Sequence, residues 1–473
     1  MYKFSGFRDG HSHPLFAERE GAGPDVSDCA NVTAVVQRIG DFLKANPDCN
    51  WVDCGSFSPE LHSGAPAHYS QLDQASMAVP IVVHAADHHS IWVNSAALAA
   101  AGLTDAAPAV ANAEIVVDSA GKPTGVLREW DAMNLIYAHQ PPPSLDDDLA
   151  ALDRAQQRLL RAGVVAVQEA WIDPGMPEVY LAAAETARLL LRVNLAPRIA
   201  PQSWHDDLHF AKATRSRVRA AGSELLSCNT VKIFVDGVLS ASTALVKNAY
   251  CNGGHGTAIW TPSELAEAAL AADSAGFQLH FHAIGDAAVA AALDAVEHVD
   301  LCNGFVDRRS VISHAELIDP DDFERMKRLS VTVCQQPAWA AAESAPATLV
   351  TALGEDRVQR LYPLRDLLDH RVALSFGSDW PVSPPEPLPA IYTACTRLQP
   401  GSDATPLNAS QAIGRTAALR AYSLGTAVQL GQESLLNHDE VTFDTDLERC
   451  SDAELLAARV VSVRVAGRLV YEA

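Results

Sequence analysis

From about residue 150 onward, short apolar runs alternate with amphipathic stretches of helical length, and this alternation constrains the fold more than any other feature of the chain. A strand that runs parallel to its predecessor needs a crossover of a dozen or more residues, so a strand–helix–strand rhythm prescribes a mostly parallel sheet. Leu149–Ala162 reads as a helix with apolar residues at helical spacing, Gly163 ends it, and Val164–Glu169 follows as a buried strand. Further strands are expected at Leu191–Leu195, Thr230–Val235, Gln278–His282, Ser310–His314, Val331–Cys334 and Ala373–Ser378. Each follows a helical stretch such as Pro262–Ala275. With a first strand near Phe4–Arg8 the total is eight, which favours a closed (β/α)8 TIM barrel over an open sheet.

Two regions break the rhythm. Residues about 27–145 are rich in Pro, Gly, Asp and Ala and read as a long insertion after strand one, on the face where barrel loops build sites. Arg459–Tyr471 reads as a two-strand hairpin, too late to belong to the barrel. The expected organisation is a barrel over 1–425 carrying the insertion, followed by a C-terminal β segment, 426–473.

Composition narrows the function. Hydrophobic residues make up 48% and charged residues 20%, enough to bury a large core. Lys and Arg number 35 against 58 Asp and Glu, a formal charge of −23 that repels phosphate backbones and anionic lipid. The expected partner is therefore a small molecule, with no nucleic acid and no membrane; a homodimer is compatible with the chain. Nine scattered cysteines, without zinc-ribbon or CxxC spacing, read as reduced thiols of a cytoplasmic protein. The N-terminal residues lack the apolar core of a signal peptide, and no uncharged apolar run reaches membrane-spanning length.

Side chains suited to metal chemistry fall at the strand ends. His11 and His13, at i and i+2 on an extended chain, point the same way and can reach one ion. In Leu279-His280-Phe281-His282, His282 lies at the C-terminal end as the candidate ligand, whereas His280 sits a layer deeper in a supporting or core role. His314 ends the next strand, and Asp379 ends the last, where a carboxylate can bind a metal and also accept a proton. Lys232 lies within an apolar strand. It needs a carboxylate partner, a lowered pKa or covalent modification, unless its ammonium reaches solvent at the barrel base. Asp236, nearer that strand's end, is a further candidate.

This ordered set, HxH on strand one, Lys on four, His on five and six and Asp on eight, resembles the amidohydrolase superfamily. Three stretches bring it closer to the YtcJ-like branch, which includes N-substituted formamide deformylases: His282–Asp286, Lys232–Gly237 and Asp87–Leu98. Pro123–Glu129 resembles another family block. The resemblance implies a hydrolase with one or two divalent metal ions, of which zinc is the first expectation and Mn, Fe or Co also suit the ligands. Such an enzyme uses a metal-bound hydroxide to cleave a non-peptide carbon–nitrogen bond of amide or N-formyl type. Deamination, ester or lactone hydrolysis, and a non-catalytic binding protein are the alternatives.

By position, His11, His13 and Asp379 would bind the first metal, and His282 and His314 the second. Lys232, carbamylated, would bridge them, unless Glu129 takes its place; Asp379 would pass the proton to the leaving nitrogen. His88, His89, Trp92 and Asn94 would touch substrate, or else form a loop packed on its own aromatic ring. Relatives carry several dozen residues ahead of the first HxH, forming strands of a small β-sandwich. Here that motif begins at His11, so the sandwich is expected to be incomplete, its terminal hairpin short of partners, and the true start is expected upstream.

Overall fold

The computed structural model describes residues 1–57, 67–86, 88–105, 107–110, 113–341 and 347–473, which form two compact units. One comprises Met1–Pro14 with Leu152–Ala473, the other Leu15–Ala151.

The first unit is the barrel. Its eight strands are Phe7–Ser12, Val164–Ile172, Arg192–Ile199, Thr230–Phe234, Gln278–Ala283, Val311–His314, Thr332–Gln335 and Ala373–Phe376, each parallel to the next in chain order. The eighth closes on the first just beyond its end: Asp379 N–H donates to His11 O at 2.7 Å, and His13 N–H to Trp380 O at 2.8 Å. Gly377 permits this seam, because a Cβ there would lie 2.5 Å from His11 N. Gln429 braces the same region, donating to Gly10 O at 2.6 Å while accepting from the Ser375 hydroxyl at 2.5 Å. Crossover helices begin where the sequence supplies caps; Pro262–Ser274 has a capping box of Thr261 and Glu264.

Seven of the eight barrel strands lie where the apolar runs placed them. The first does not. Tyr2–Phe4 is a strand of a different sheet, and the barrel strand is Phe7–Ser12. Gly6 separates them, with φ of +81° and a backbone so close to Val165 that a Cβ would meet its methyl groups at 2.7 Å. In the sequence, Phe4 and Phe7 on either side of Gly6 make Phe4–Arg8 resemble one strand.

Tyr2–Phe4 pairs antiparallel with Glu440–Phe443, which pairs with Val460–Val465, which turns back into Arg468–Glu472. The terminal hairpin thus has partners: a four-stranded antiparallel sheet takes the place of the bare edges expected for it. Asp439, fully buried, binds Arg8 at 2.9 Å and Arg192 at 3.0 Å, and accepts from Ala466 N–H. One carboxylate therefore joins two barrel strands to the small sheet.

The second unit, whose fold the sequence left unread, has a five-stranded sheet in the order Val52–Phe57, Ile81–Ala85, Ser90–Val93, Pro123–Arg128, Glu114–Val117. The first pair is parallel and the others antiparallel. Alternate residues feed two cores: Ile81 and Val83 pack with Val35, Ile39 and Trp92, whereas Val82 packs with Ile91, Val93, Met133 and Ile136.

Candidate metal centre

The first barrel strand is buried along its whole length and delivers His11 into a cluster contributed by four others. His11 Nε2 lies 3.2 Å from Lys232 Nζ and 3.3 Å from Asp379 Oδ1. Its Nδ1 lies 2.8 Å from His280 Nε2 and 2.7 Å from Ser313 Oγ. His13 Nε2 is 3.0 Å from the same Asp379 oxygen. His11, His314 and Asp379 each present a ligand atom, all three within 4.8 Å of one another. The His314 ring lies 4.8 Å from that of His11 and 4.5 Å from that of His282. His282 therefore stands beside the cluster, with Nε2 directed 3.2 Å from Gly237 O.

Backbone strain marks the two strand ends that matter. His314 has φ of +72° and Asp379 of +56°, a region that costs a non-glycine residue about 1–3 kcal/mol. Each is held there: Gln336 Oε1 lies 2.9 Å from His314 Nδ1, Trp339 stacks on the His314 ring, and the seam bond fixes Asp379. His280 supports His11 from below, and Asp236 accepts from the N–H groups of Ile284, Gly285 and Leu245, an anchor for the loop after the fifth strand.

Two carboxylates of this region were not singled out from the sequence. Asp9 accepts from Ser378 N–H at 2.9 Å, Ser378 Oγ at 2.5 Å and His11 N–H at 3.2 Å, tying the first strand to the eighth. Burial pushes it up to about 7 against those bonds. Glu169 lies 3.7 Å from His13 Nδ1 and accepts from the Tyr180 hydroxyl. The available signals were Asp9 two residues before His11, and a lone carboxylate in the apolar run Val164–Ile172.

The electrostatics suit cation binding. Lys232 is fully buried, which excludes the route to solvent, and burial lowers it to about 7 despite the nearby Asp379 charge. Burial, then the Lys232 charge, holds His11 well below its ordinary value. Burial lowers His314 to about 3, although Asp379 opposes this. Burial would raise Asp379, but its bond to His13 and the positive field of His314, His13 and Lys232 bring it to about 2. Burial likewise opposes a proton on His13, and the carboxylates of Asp379 and Glu169 overcome it. Neutral imidazoles at His11 and His314 beside the ionised Asp379 are protonation states that a divalent cation requires, and at His13 the ion would take the place of the proton. The residues present fit such an ion.

In the second unit, His89 Nδ1 lies 2.9 Å from Glu129 Oε2, and His88 Nε2 lies 2.8 Å from Glu20 Oε2. Glu129, with φ of +64°, precedes the helix Trp130–Tyr137. Asp87 lies outside the described residues. Trp92 and Asn94 are buried in this unit's own core. Trp92 packs on Phe57 and donates to His68 O. The Asn94 amide makes four bonds, accepting from Ile81 and Ala97 N–H and donating to Ser76 and Val79 O. That uses the full hydrogen-bonding capacity of the amide within this unit.

A family model described as the amidohydrolase family matches residues 4–471. The chain belongs to the amidohydrolase family. This amidohydrolase is 26% identical to the YtcJ protein of Bacillus subtilis (strain 168), over 99% of this chain and 89% of that one. It is also 26% identical to the N-substituted formamide deformylase of Arthrobacter pascens, over 99% and 88%. These matches put the amidohydrolase in the YtcJ-like branch. A crystal structure of an uncharacterized metal-dependent hydrolase from Pyrococcus horikoshii OT3 shares its fold, with a TM-score of 0.72 and 22% identity over 96% of this chain and 88% of that one.

Proposed function

We propose that this amidohydrolase is a metal-dependent enzyme that hydrolyses a non-peptide carbon–nitrogen bond, of amide or N-formyl type, in a small molecule. The observation that carries the reading is the convergence of His11, His314 and Asp379, with His13 and Lys232 alongside, at the ends of barrel strands. The bond type is drawn from the likeness to the Arthrobacter pascens deformylase.

His11, His13, His282, His314 and Asp379 are the residues that would hold one or two divalent ions, with zinc expected. Lys232 would join them as a carbamate, since an amine lowered to about 7 has a substantial neutral fraction to react with CO2. An ion held by these residues would supply an acidified water and a polarised scissile carbonyl. Asp379 stays ionised throughout the working pH range and accepts a proton at its carboxylate, then returns it to the departing nitrogen. His13, 3.0 Å from Asp379 Oδ1, orients that carboxylate. No helix among the described residues is long and apolar enough to cross a membrane.

The test is metal analysis of the purified protein combined with a screen of N-formyl amines, N-acyl amino acids and cyclic amides. Bound metal with turnover of one of these classes supports the proposal. Less than about one metal per chain after supplementation, with no turnover, would place the protein among binding proteins of this fold.

A further inference from the structure

A second group of metal-ligating side chains lies wholly within the unit Leu15–Ala151, and the barrel chemistry makes no use of it. Glu20 ends the helix Pro14–Glu20, His84 lies on the strand Ile81–Ala85, and His88 follows that strand. Each offers one ligand atom, all within 4.8 Å of one another. His88 Nε2 is 2.8 Å from Glu20 Oε2, and His84 Nε2 is 2.5 Å from Asp53 Oδ1 on the neighbouring strand. We infer that Glu20, His84 and His88, with Asp53 beside them, form a site for a divalent cation of the zinc type.

Three further features set this group apart from a chance surface pair. The side chains are only 10–23% exposed, so two carboxylates are held in a poorly solvated place, where they need positive charge. Among the described residues, no lysine or arginine pairs with either, and their cationic partners are the imidazoles of His84 and His88, whose protons a bound metal would replace; Arg19, the neighbour of Glu20 in sequence, is engaged by Asp148. A dication neutralises both.

The backbone is also shaped around the ligands. A Cβ on Gly55 would fall 1.3 Å from Glu20 Oε1, so the carboxylate occupies space that only glycine leaves open. His88 has φ of +58°, an uncommon conformation for a non-glycine residue.

Finally, the ligands have orienting partners. The Tyr137 hydroxyl lies 3.2 Å from His84 Nδ1, and Gln140 donates to Asp53 Oδ2 at 3.0 Å. Hydrogen bonds on the far side of a ligating imidazole or carboxylate fix its tautomer and direction. Two imidazoles with carboxylate oxygen are a donor set that suits zinc or its first-row neighbours better than magnesium or calcium.

The full-length protein, stripped with a chelator and titrated with Co2+ and separately with Zn2+, tests this. Bound metal is counted by elemental analysis after dialysis, and the Co2+ visible spectrum reports ligand geometry. The expectation is that Glu20→Gln, and more completely His84→Asn, each lose about one equivalent relative to wild type, together with part of the Co2+ absorption. The double variant His11→Asn/His314→Asn, which removes barrel ligands, should retain that equivalent. Stoichiometry and spectrum unchanged in Glu20→Gln and His84→Asn would overturn the site, as would their loss in the barrel variant alone. Circular dichroism accompanies each titration. Should His84→Asn fail to fold, the milder Glu20→Gln decides.

Discussion

Lys232 Nζ and His11 Nε2 stand 3.2 Å apart, two basic groups from the fourth and first barrel strands in contact where neither reaches solvent. Such a contact is tolerable only if at least one is neutral, and both are shifted in that direction, Lys232 to about 7.

The lysine gives the first prediction. Unfolded, it titrates near its ordinary 10.5; folded, near 7. Between those values the unfolded chain holds the extra proton, so stability rises with pH across that window. Below about 7 both states carry the proton and the full cost of burying it is present. After chelation, wild type should therefore gain stability from pH 7 to 10 relative to Lys232→Met, with a slope of at most about 1.4 kcal/mol per pH unit. Parallel pH profiles for the two proteins in denaturant melts would contradict a buried amine.

Asp379→Asn keeps the shape of the side chain and its seam with the first strand, which runs through backbone atoms. It removes the proton acceptor, worth roughly 10²–10⁴ in rate for a positioned base. Turnover should fall by that factor while some metal stays bound through the histidines. Activity within a few-fold of wild type would remove Asp379 from its proposed role.

These residues also show how far the sequence could be read. The barrel was legible because buried parallel strands are continuous apolar runs, and their ends carry His11, His13, His282, His314 and Asp379 in order. Lys232 stood out because a cation within Val231–Val235 needs either a special partner or a route to solvent, and its complete burial removes the second. Less legible was whatever depends on distant neighbours. Glu169 gains its place through His13 and Tyr180, and Asp9 ties the first strand to the eighth through Ser378, at the other end of the chain. The insertion was opaque because its strands are short and its pairing mixes parallel with antiparallel neighbours. Glu20, Asp53 and His84 share no local pattern, so no spacing rule joins them.

Asp439 offers a stability test remote from the chemistry. It is fully buried between Arg8 and Arg192, joining the first and third barrel strands to the small antiparallel sheet. Removing one partner of a buried ionic group leaves the others charged and uncompensated, at about 3–5 kcal/mol. Asp439→Asn should lower the denaturation midpoint accordingly and leave KM of the surviving folded protein unchanged. A loss under about 1 kcal/mol would mean that water reaches the two guanidiniums.

Asn94 separates a structural from a substrate-contacting role. It lies in a stretch shared with the deformylase-like branch, where a polar side chain invites a functional reading. Its amide nevertheless caps the helix Ser95–Ala100 and satisfies Ile81 N–H, Ser76 O and Val79 O, with no exposed surface. Asn94→Ala forfeits the cap, about 1 kcal/mol, and strands at least one buried backbone group, about 1–3 kcal/mol more. The expected result is a loss of about 2–4 kcal/mol in stability, with KM and kcat near wild type at temperatures where the variant is folded. The opposite pattern, an unchanged melting curve with a several-fold rise in KM, would show that the amide meets substrate, and that its four internal bonds are exchanged for that contact.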